Sequence, residues 1–499
     1  MSGARIRRRI RKIAADAAVA DAAAATGARR TTLGGAVRSN IWCQNTSSGL
    51  AISRLGSVAG FGRTGELLGR SLDALGQQFV VIDEEAERID TLELLPFHAD
   101  IPGLVGNAGS PQHLAIAGLS HAYCAGVLAM TNDDETNLAV TMAAAVMRPE
   151  LPVIARTVSP AIAHRMAAFG SPTIINPFDR FGDHLRLALR APASYQLLTW
   201  LESGPGAQLP RRASPPMHGR WVMCGYGRFG KELTADLRAE GLKVVVIEPA
   251  AVAGQDPEIL VEDASEPGVL NRVRLDEAVG FVAGTDNDTT NLSLVAAARR
   301  INPELFIAAR QNNPTNAPLF DSVSIEALLV PTEVIAHEVY AQLATPLLWR
   351  FLQDMPAMGD EWASDLIDRL IGYCGGFLES LWKVRLNATE APALTHWLNS
   401  GDAQLGPLLH SPDDRDRRLD IIPLLVRRGS DYQLTPGEDY QLQQDDELLL
   451  AGLSVDRRAL ELTLADDSAR EYVLFDRHIP SSWIWRKINK TAREVARTG

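Results

Sequence analysis

Cysteine is scarce in this chain: Cys43, Cys124, Cys224 and Cys374, each alone in its stretch of sequence. No pair has metal-ligand spacing and no disulfide framework is suggested, which points to a reducing compartment. The ten histidines form no HxxxH pair, and no metal site is expected. No run reaches the roughly 18 apolar residues needed to cross a bilayer, so the chain as written carries no membrane span. A basic excess is missing too. Against 61 acids stand 49 Lys and Arg, a formal net charge of −12, which argues against nucleic acid as the main partner. What remains is ordinary globular composition, 46% hydrophobic and 22% charged. A chain of 499 residues predicts two to four domains.

The charge is uneven. Residues 1–40 carry nine basic side chains against Asp16 and Asp21, which leaves −19 for the rest. An Arg-rich start before the Ala-rich stretch Ala14–Ala25 fits a helix lying on anionic lipid. It also fits a poorly ordered tail, the favoured reading. No strongly apolar segment follows the basic residues, so it is not a secretory signal.

An internal repeat organises the chain. GFGRTG at Gly60–Gly65 recurs as GYGRFG at Gly225–Gly230, and FVVID ending at Asp83 recurs as VVVIE ending at Glu248. TNDDETNL (Thr131–Leu138) recurs as TDNDTTNL (Thr285–Leu292), and RPELPVIAR ending at Arg156 as NPELFIAAR ending at Arg310. The offset falls from 165 to 154, and most of the difference lies after Asp83, where the first copy holds LELLPFHADIPG. Collinear matches of this kind mark a duplication.

Each repeat reads strand, GxGxxG, helix, strand, acid. Gly60 and Gly225 permit the tight turn, Gly62 and Gly227 let backbone approach a pyrophosphate, and Gly65 and Gly230 let helix pack on strand. The helix that follows turns its free N–H groups and dipole toward an anion. Asp83 and Glu248 can take both ribose hydroxyls and would repel a 2′-phosphate, which favours NAD or an adenosine nucleotide over NADP. The leading strand of the first copy is the weaker one, because Gly56 and Ser57 interrupt it. Two such copies predict an α/β chain: two Rossmann-like domains with doubly wound parallel sheets, plus a small α+β C-terminal module.

Further along, Thr131, Asp133, Asp134 and Asn137, and Thr285, Asp286, Asp288 and Asn291, open helices at the carboxyl rim of the sheets. Capping is the expected main role of Thr131 and Thr285, with ligand proximity second. Arg156 and Arg310 end strands at the same rim, placed either for a nucleotide phosphate or for a surface salt bridge. His113 and His121 have no histidine counterpart in the second repeat and read as surface residues. No Ser-His-Asp order, Cys-His pair or recurring His or Lys suggests catalysis.

The segments divide as follows: a basic leader at 1–49, a first repeat domain at 50–203, a Pro/Gly-rich linker at 204–216, a second repeat domain at 217–357, a small module at 358–456 and a tail at 457–499. The first domain ends in a helix expected over Arg180–Leu201. In the tail, Trp483 and Trp485 fit packing of a C-terminal helix, or docking on a partner or membrane.

Taken together, these motifs resemble the potassium-conductance regulatory (RCK, or TrkA-N) domain of bacterial potassium channels and Trk uptake systems. In addition, IIPLLVRRG…LTPGEDYQLQQDDELLLAG is similar to the TrkA-C ligand-sensing module. The resemblance covers about residues 50–455. It implies a regulatory protein rather than an enzyme, cytoplasmic at the inner face of the membrane, with NAD or NADH, or else ATP or ADP, as effector. It implies a potassium channel pore or Trk-type membrane subunit as partner, and a homo-oligomer of the gating-ring kind. By motif, Gly60, Gly62, Arg63, Gly65, Asp83, Arg156, Gly225, Gly227, Arg228, Gly230, Glu248, Asp263 and Arg310 are the candidate nucleotide contacts. Asp263 sits in an EDA segment where the first repeat has Asn107-Ala108. The order of two N-domains and one C-module resembles the cytosolic part of a pore-bearing chain. That leaves either a separate subunit or a start lacking its membrane segment. An NAD-dependent oxidoreductase with duplicated Rossmann domains is the alternative, and the regulatory tail of a proton-antiport efflux system a third.

Overall fold

The computed structural model describes residues 55–478, apart from 75, 252–257, 345 and 400–402. The basic leader, Cys43, Trp483 and Trp485 lie outside the described residues. By its contacts the chain divides into two compact units. One comprises the residues through Arg186 together with Pro216–Tyr340; the other comprises Leu187–Pro215 and Ala341 onward.

The first unit holds two six-stranded parallel sheets. In the first repeat these are β1 (Leu55–Ala59), β2 (Gln78–Asp83), β3 (Gly103–Val105), β4 (Cys124–Ala129), β5 (Val153–Arg156) and β6 (Thr173–Ile175). In the second they are β7 (Arg220–Cys224), β8 (Lys243–Ile247), β9 (Ile259–Leu260), β10 (Gly280–Ala283), β11 (Phe306–Arg310) and β12 (Ala327–Leu329). The spatial orders, β3-β2-β1-β4-β5-β6 and β9-β8-β7-β10-β11-β12, are the same doubly wound order. The direction in which successive strands are added therefore reverses between β1 and β4, and between β7 and β10, leaving a crevice at the carboxyl ends of those strands. The run Phe79–Ile82 is buried on both faces, as a parallel strand covered by helices requires. Despite Gly56 and Ser57, β1 forms in full, because β2 and β4 both pair with it. Its central place outweighs its low propensity. The extra residues of the first copy form a 3-10 turn, Leu92–Leu94, and set Phe97 edge-on to Phe79 with ring centres 6.0 Å apart.

Where one helix was expected over Arg180–Leu201 there are two, Pro177–Arg190 and Pro192–Glu202. Pro192 has no N–H to continue the first helix, but it fits the opening turn of the second.

The two repeats exchange helices. After β12, the helix Pro331–Ala344 inserts Ile335, Ala336 and Val339 into the core of the first repeat, among Val58, Phe61, Leu68 and Phe79. After β6, the helix Pro177–Arg190 sets Phe178 and Phe181 against Phe229 of the second repeat, each ring pair 5.7 Å apart. Arg180 on one exchanged helix donates to both oxygens of the buried Glu338 on the other, at 2.8 and 2.9 Å.

This contact also crowds acids. Asp179 of the exchanged helix faces Glu232 and Asp236 of the helix Arg228–Ala239. Burial, then the Asp179 carboxylate, pushes Glu232 up to about 7. The folded state thus binds this proton more tightly than the unfolded chain, whose glutamate titrates near 4.5. Stability is highest below that value and falls as pH rises toward 7. Glu232→Gln is expected to raise Tm at pH 8 and to leave it nearly unchanged at pH 4.5. An equal shift at both pH values in a fluorescence melt would show that the carboxylate carries no such cost.

The second unit carries an antiparallel sheet of β13 (Ser380–Arg385), β14 (Ile421–Arg428), β15 (Asp431–Leu434) and β16 (Glu447–Gly452), in the order β13-β16-β14-β15. The helices Pro192–Glu202, Pro346–Asp354 and Asp360–Cys374 share one core with it, built on Trp200, Leu201, Phe351, Leu366 and Leu449. The divisions therefore fall at Arg186 and Tyr340, not near 203 and 357, because these helices bury their apolar faces in this core. The Pro/Gly-rich stretch is bonded in as well: Gly206 N–H donates to Leu378 O at 2.8 Å and Leu209 N–H to Gly376 O at 2.9 Å. Among the described residues no helix is long and apolar enough to cross a membrane.

Candidate functional site

A cavity of about 770 Å³ opens at the carboxyl ends of β1, β2 and β4. Gly60 turns the chain there with φ +93°, and a Cβ on it would lie 2.8 Å from the backbone of Thr131. Gly65 backs directly onto this turn, and its Cβ would lie 2.1 Å from Gly60 O. Gly62 is different: the nearest atom to its Cβ would be Arg88 Nη1 at 3.9 Å. Two glycines thus build the loop, while the third leaves space above it. The helix Arg63–Ala74 starts at this space, so free N–H groups and the dipole favour an anion there.

Asp83 closes one side. Its Oδ2 accepts Phe61 N–H at 2.6 Å and its Oδ1 accepts Glu85 N–H at 2.9 Å. Arg88 lies 3.3 Å from it. A carboxylate has about four lone-pair sites; two take backbone donors, and Arg88 Nη1 spans both oxygens at the long distances of 3.5 and 3.3 Å, the bonds a hydroxyl donor would displace. Glu248 repeats the arrangement, accepting Tyr226 N–H at 2.7 Å and Ala250 N–H at 3.0 Å. In both copies the acid therefore fastens the glycine loop as well.

At the β4 end, Thr131 does not cap the following helix, and in the second copy neither does Thr285. The caps are Asp133, accepting Thr136 N–H at 2.9 Å, and Asn287, accepting Thr290 N–H at 3.0 Å. Each threonine hydroxyl instead donates to a fully buried asparagine, Asn137 at 2.8 Å and Asn291 at 2.7 Å. Those asparagines donate on to Arg156 O and Arg310 O. They are struts between neighbouring strand ends.

Arg156 donates Nη1–H to Thr131 O at 2.9 Å. Neither Arg156 nor Arg310 has a described carboxylate within ion-pair distance, which removes the surface salt bridge as their role. Burial pulls both guanidiniums below their ordinary value, with Asp134 offsetting part of this at Arg156 and Asp286 part at Arg310. Both line the first-repeat cavity, although Arg310 ends β11 of the second repeat. Asn312, just past the end of β11, lines it with Arg310, and so do Pro331, Thr332 and Ile335 of the exchanged helix. Two buried polar atoms of this wall, Arg310 Nε and Thr332 Oγ1, make no hydrogen bond.

Of the candidate contacts, Gly60, Gly62, Arg63, Asp83, Arg156 and Arg310 line this cavity, and Gly65 lies beneath it. Gly225, Gly227, Arg228, Gly230 and Glu248 take the equivalent places in the second repeat. There Gly230 backs onto Gly225 O as Gly65 does onto Gly60 O, and Gly227 has nothing within 4 Å of its Cβ position. Asp263 accepts Ser265 N–H at 2.8 Å and is not on the first cavity; Ala108, beside Asn107, is. Sequence reasoning missed Arg88, Asn312 and Thr332. Arg88 follows Asp83 by five positions, the one signal available for it.

The chain is thus built on a duplicated Rossmann-type fold with a cationic crevice at the switch point. Residues 57–177 and 221–331 each match the TrkA-N domain, and the chain carries two TrkA-N domains. It is similar to potassium channel protein 1 of Methanocaldococcus jannaschii, 20% identical over 152 residues, covering 29% of this chain and 46% of that protein. It is similar to a Trk system potassium uptake protein TrkA homolog of Pyrococcus abyssi, 24% identical over 151 residues, covering 28% of this chain and 66% of that protein. The chain thus spans less than two thirds of either relative. A structure of the GsuK channel bound to NAD is 16% identical, with a TM-score of 0.48 over 83% of this chain and 79% of that one.

Proposed function

We propose that this chain is a nucleotide-responsive regulatory component of potassium transport, acting on a channel pore or a Trk-type membrane subunit at the cytoplasmic face of the membrane. The observation that carries the reading is the cavity over Gly62, where a helix N-terminus and the guanidiniums of Arg63, Arg156 and Arg310 converge on open space beside Asp83. The residues present fit a nucleotide. The space that a Cβ on Gly62 would fill suits a phosphate, the arginines supply charge, and Asp83 can exchange its long bonds to Arg88 for ribose hydroxyls. Arg63, Arg156 and Arg310 hold the phosphates of NAD, NADH, ATP or ADP, and Asp83 the ribose.

The cavity wall comes from both repeats, so a bound ligand favours one arrangement of the two over another. Regulation requires only that difference in affinity. A homo-oligomer of such chains would sum it and pass it to the pore. The match to TrkA-N domains and the likeness to potassium transport proteins support this reading.

Calorimetric titration of the purified chain with NAD, NADH, ATP and ADP tests it. At least one is expected to bind, and Arg156→Gln to weaken that binding about ten- to a hundredfold, the worth of a charge-assisted phosphate contact. Failure of all four to bind would overturn the nucleotide reading.

A further inference from the structure

The two nucleotide-type sites are built from the same motifs but walled differently. Where the exchanged helix enters the first site it brings Thr332 and Ile335; the matching positions at the second site are Phe178 and Phe181. Thr64, at the start of the first site's helix, is matched by Phe229. In the second repeat these three rings form one cluster, with Phe178 and Phe181 each 5.7 Å from Phe229. All three are largely buried, and Arg310 lies over the Phe178 ring at 5.0 Å. Phe229 also covers Gly284, which replaces Met130 of the first copy. The second copy has kept its glycine loop and its acid while its approach has become aromatic core.

The first site shows the reverse. Thr332 and Arg310 line an open cavity with an unsatisfied Oγ1 and an unsatisfied Nε. Leaving buried polar atoms unpaired costs stability; both atoms are covered, and a small turn of either side chain toward a ligand oxygen would satisfy them. Both atoms belong to the second repeat, so the second repeat supplies part of the binding wall of the first.

From this we infer that the chain binds one nucleotide, in the first repeat, and that its distal phosphate is held by Arg310 and Thr332 of the second repeat. The inference rests on the nucleotide reading above and adds to it a stoichiometry, a location and a ligand class: a nucleotide with at least two phosphates, long enough to reach from Gly62 to Arg310. The second repeat acts as the clamp on a ligand that it does not bind by its own glycine loop.

Calorimetry with ADP and with AMP on the intact chain, checked by circular dichroism and melting temperature, tests this. One ADP per chain is expected, with AMP bound at least tenfold more weakly. Gly62→Asp should abolish binding, and Gly227→Asp should leave affinity within about twofold. Thr332→Phe, which copies the second site's ring into the first, should abolish binding in a chain that still melts cooperatively. Arg310→Gln should weaken ADP at least tenfold and AMP little. Two ADP per chain, or loss of binding by Gly227→Asp alone, overturns the inference while leaving the nucleotide reading intact. If neither ADP, ATP, NAD nor NADH binds the unaltered chain, both fall together. Should Gly62→Asp fail to fold, Thr332→Phe and Arg310→Gln carry the decision.

Discussion

Gly65→Ala is expected to destabilise the first unit by about 3 kcal/mol, the upper range for forcing extra volume into a packed site. The added Cβ would lie 2.1 Å from Gly60 O and 3.0 Å from Gly60 C. Both are backbone atoms, so no side chain can rotate away. Either the helix Arg63–Ala74 slides off β1, or Gly60 leaves the turn that brings it against Thr131. Both movements also pull Phe61 N–H from its 2.6 Å bond to Asp83. Gly62→Ala provides the contrast. Its Cβ meets nothing nearer than 3.9 Å, so its melting temperature should stay close to that of the unaltered chain while nucleotide affinity falls. A denaturant melt placing Gly65→Ala within about 0.5 kcal/mol of the unaltered chain would sink the packing argument.

The second large effect lies in the other unit. Asp446 is completely buried beside β16 and accepts Arg428 Nε–H at 2.8 Å, Arg428 Nη2–H at 2.7 Å and Gln443 N–H at 2.8 Å. Arg428→Ala leaves that carboxylate with only its backbone donor. Stripping the partner from a buried ion costs about 3–5 kcal/mol, and Arg428 also lies over the Tyr440 ring at 5.3 Å. Asp446→Asn should cost less, since an amide needs no countercharge and Arg428 is partly exposed. Equal losses for the two variants in urea unfolding would mean that packing, not charge, dominates here.

Much of the fold was legible because the repeat supplied it twice. Glycines and acid recur 165 residues apart and the strand-end arginine 154 apart, and each copy places them at the carboxyl ends of equivalent strands. The C-terminal module was legible as β-rich from its apolar runs, LDIIPLLVRRG and DDELLLAGL, which hold the buried strands β14 and β16. Other features depend on contacts between distant parts of the chain. Nothing local in Thr131 distinguishes a cap from a partner for Asn137. The break at Ala191–Pro192 follows from proline chemistry but was masked by apolar spacing continuous across it. The site itself was half legible. Gly62 and Asp83 announce it, whereas Thr332 reads as part of the second repeat until the exchanged helix carries it across, and Arg310 until the end of β11 is found beside the first cavity. Arg88 escaped because its counterpart position in the second copy is Ala253, so comparison of the repeats passes over it.

The exchange of helices also sets an order on the birth of this chain. A ribosome that has just made β6 has delivered every strand of the first sheet. It has not delivered Ile335, Ala336 and Val339, which cover Phe61 and Leu68. At about 5–20 residues per second, the residues between Ile175 and Val339 take on the order of 10–30 s to add. Through that interval the nascent first repeat presents an apolar face with no native cover, a natural landing place for a chaperone. A premature stop before Pro331 would release a fragment with that face permanently bare.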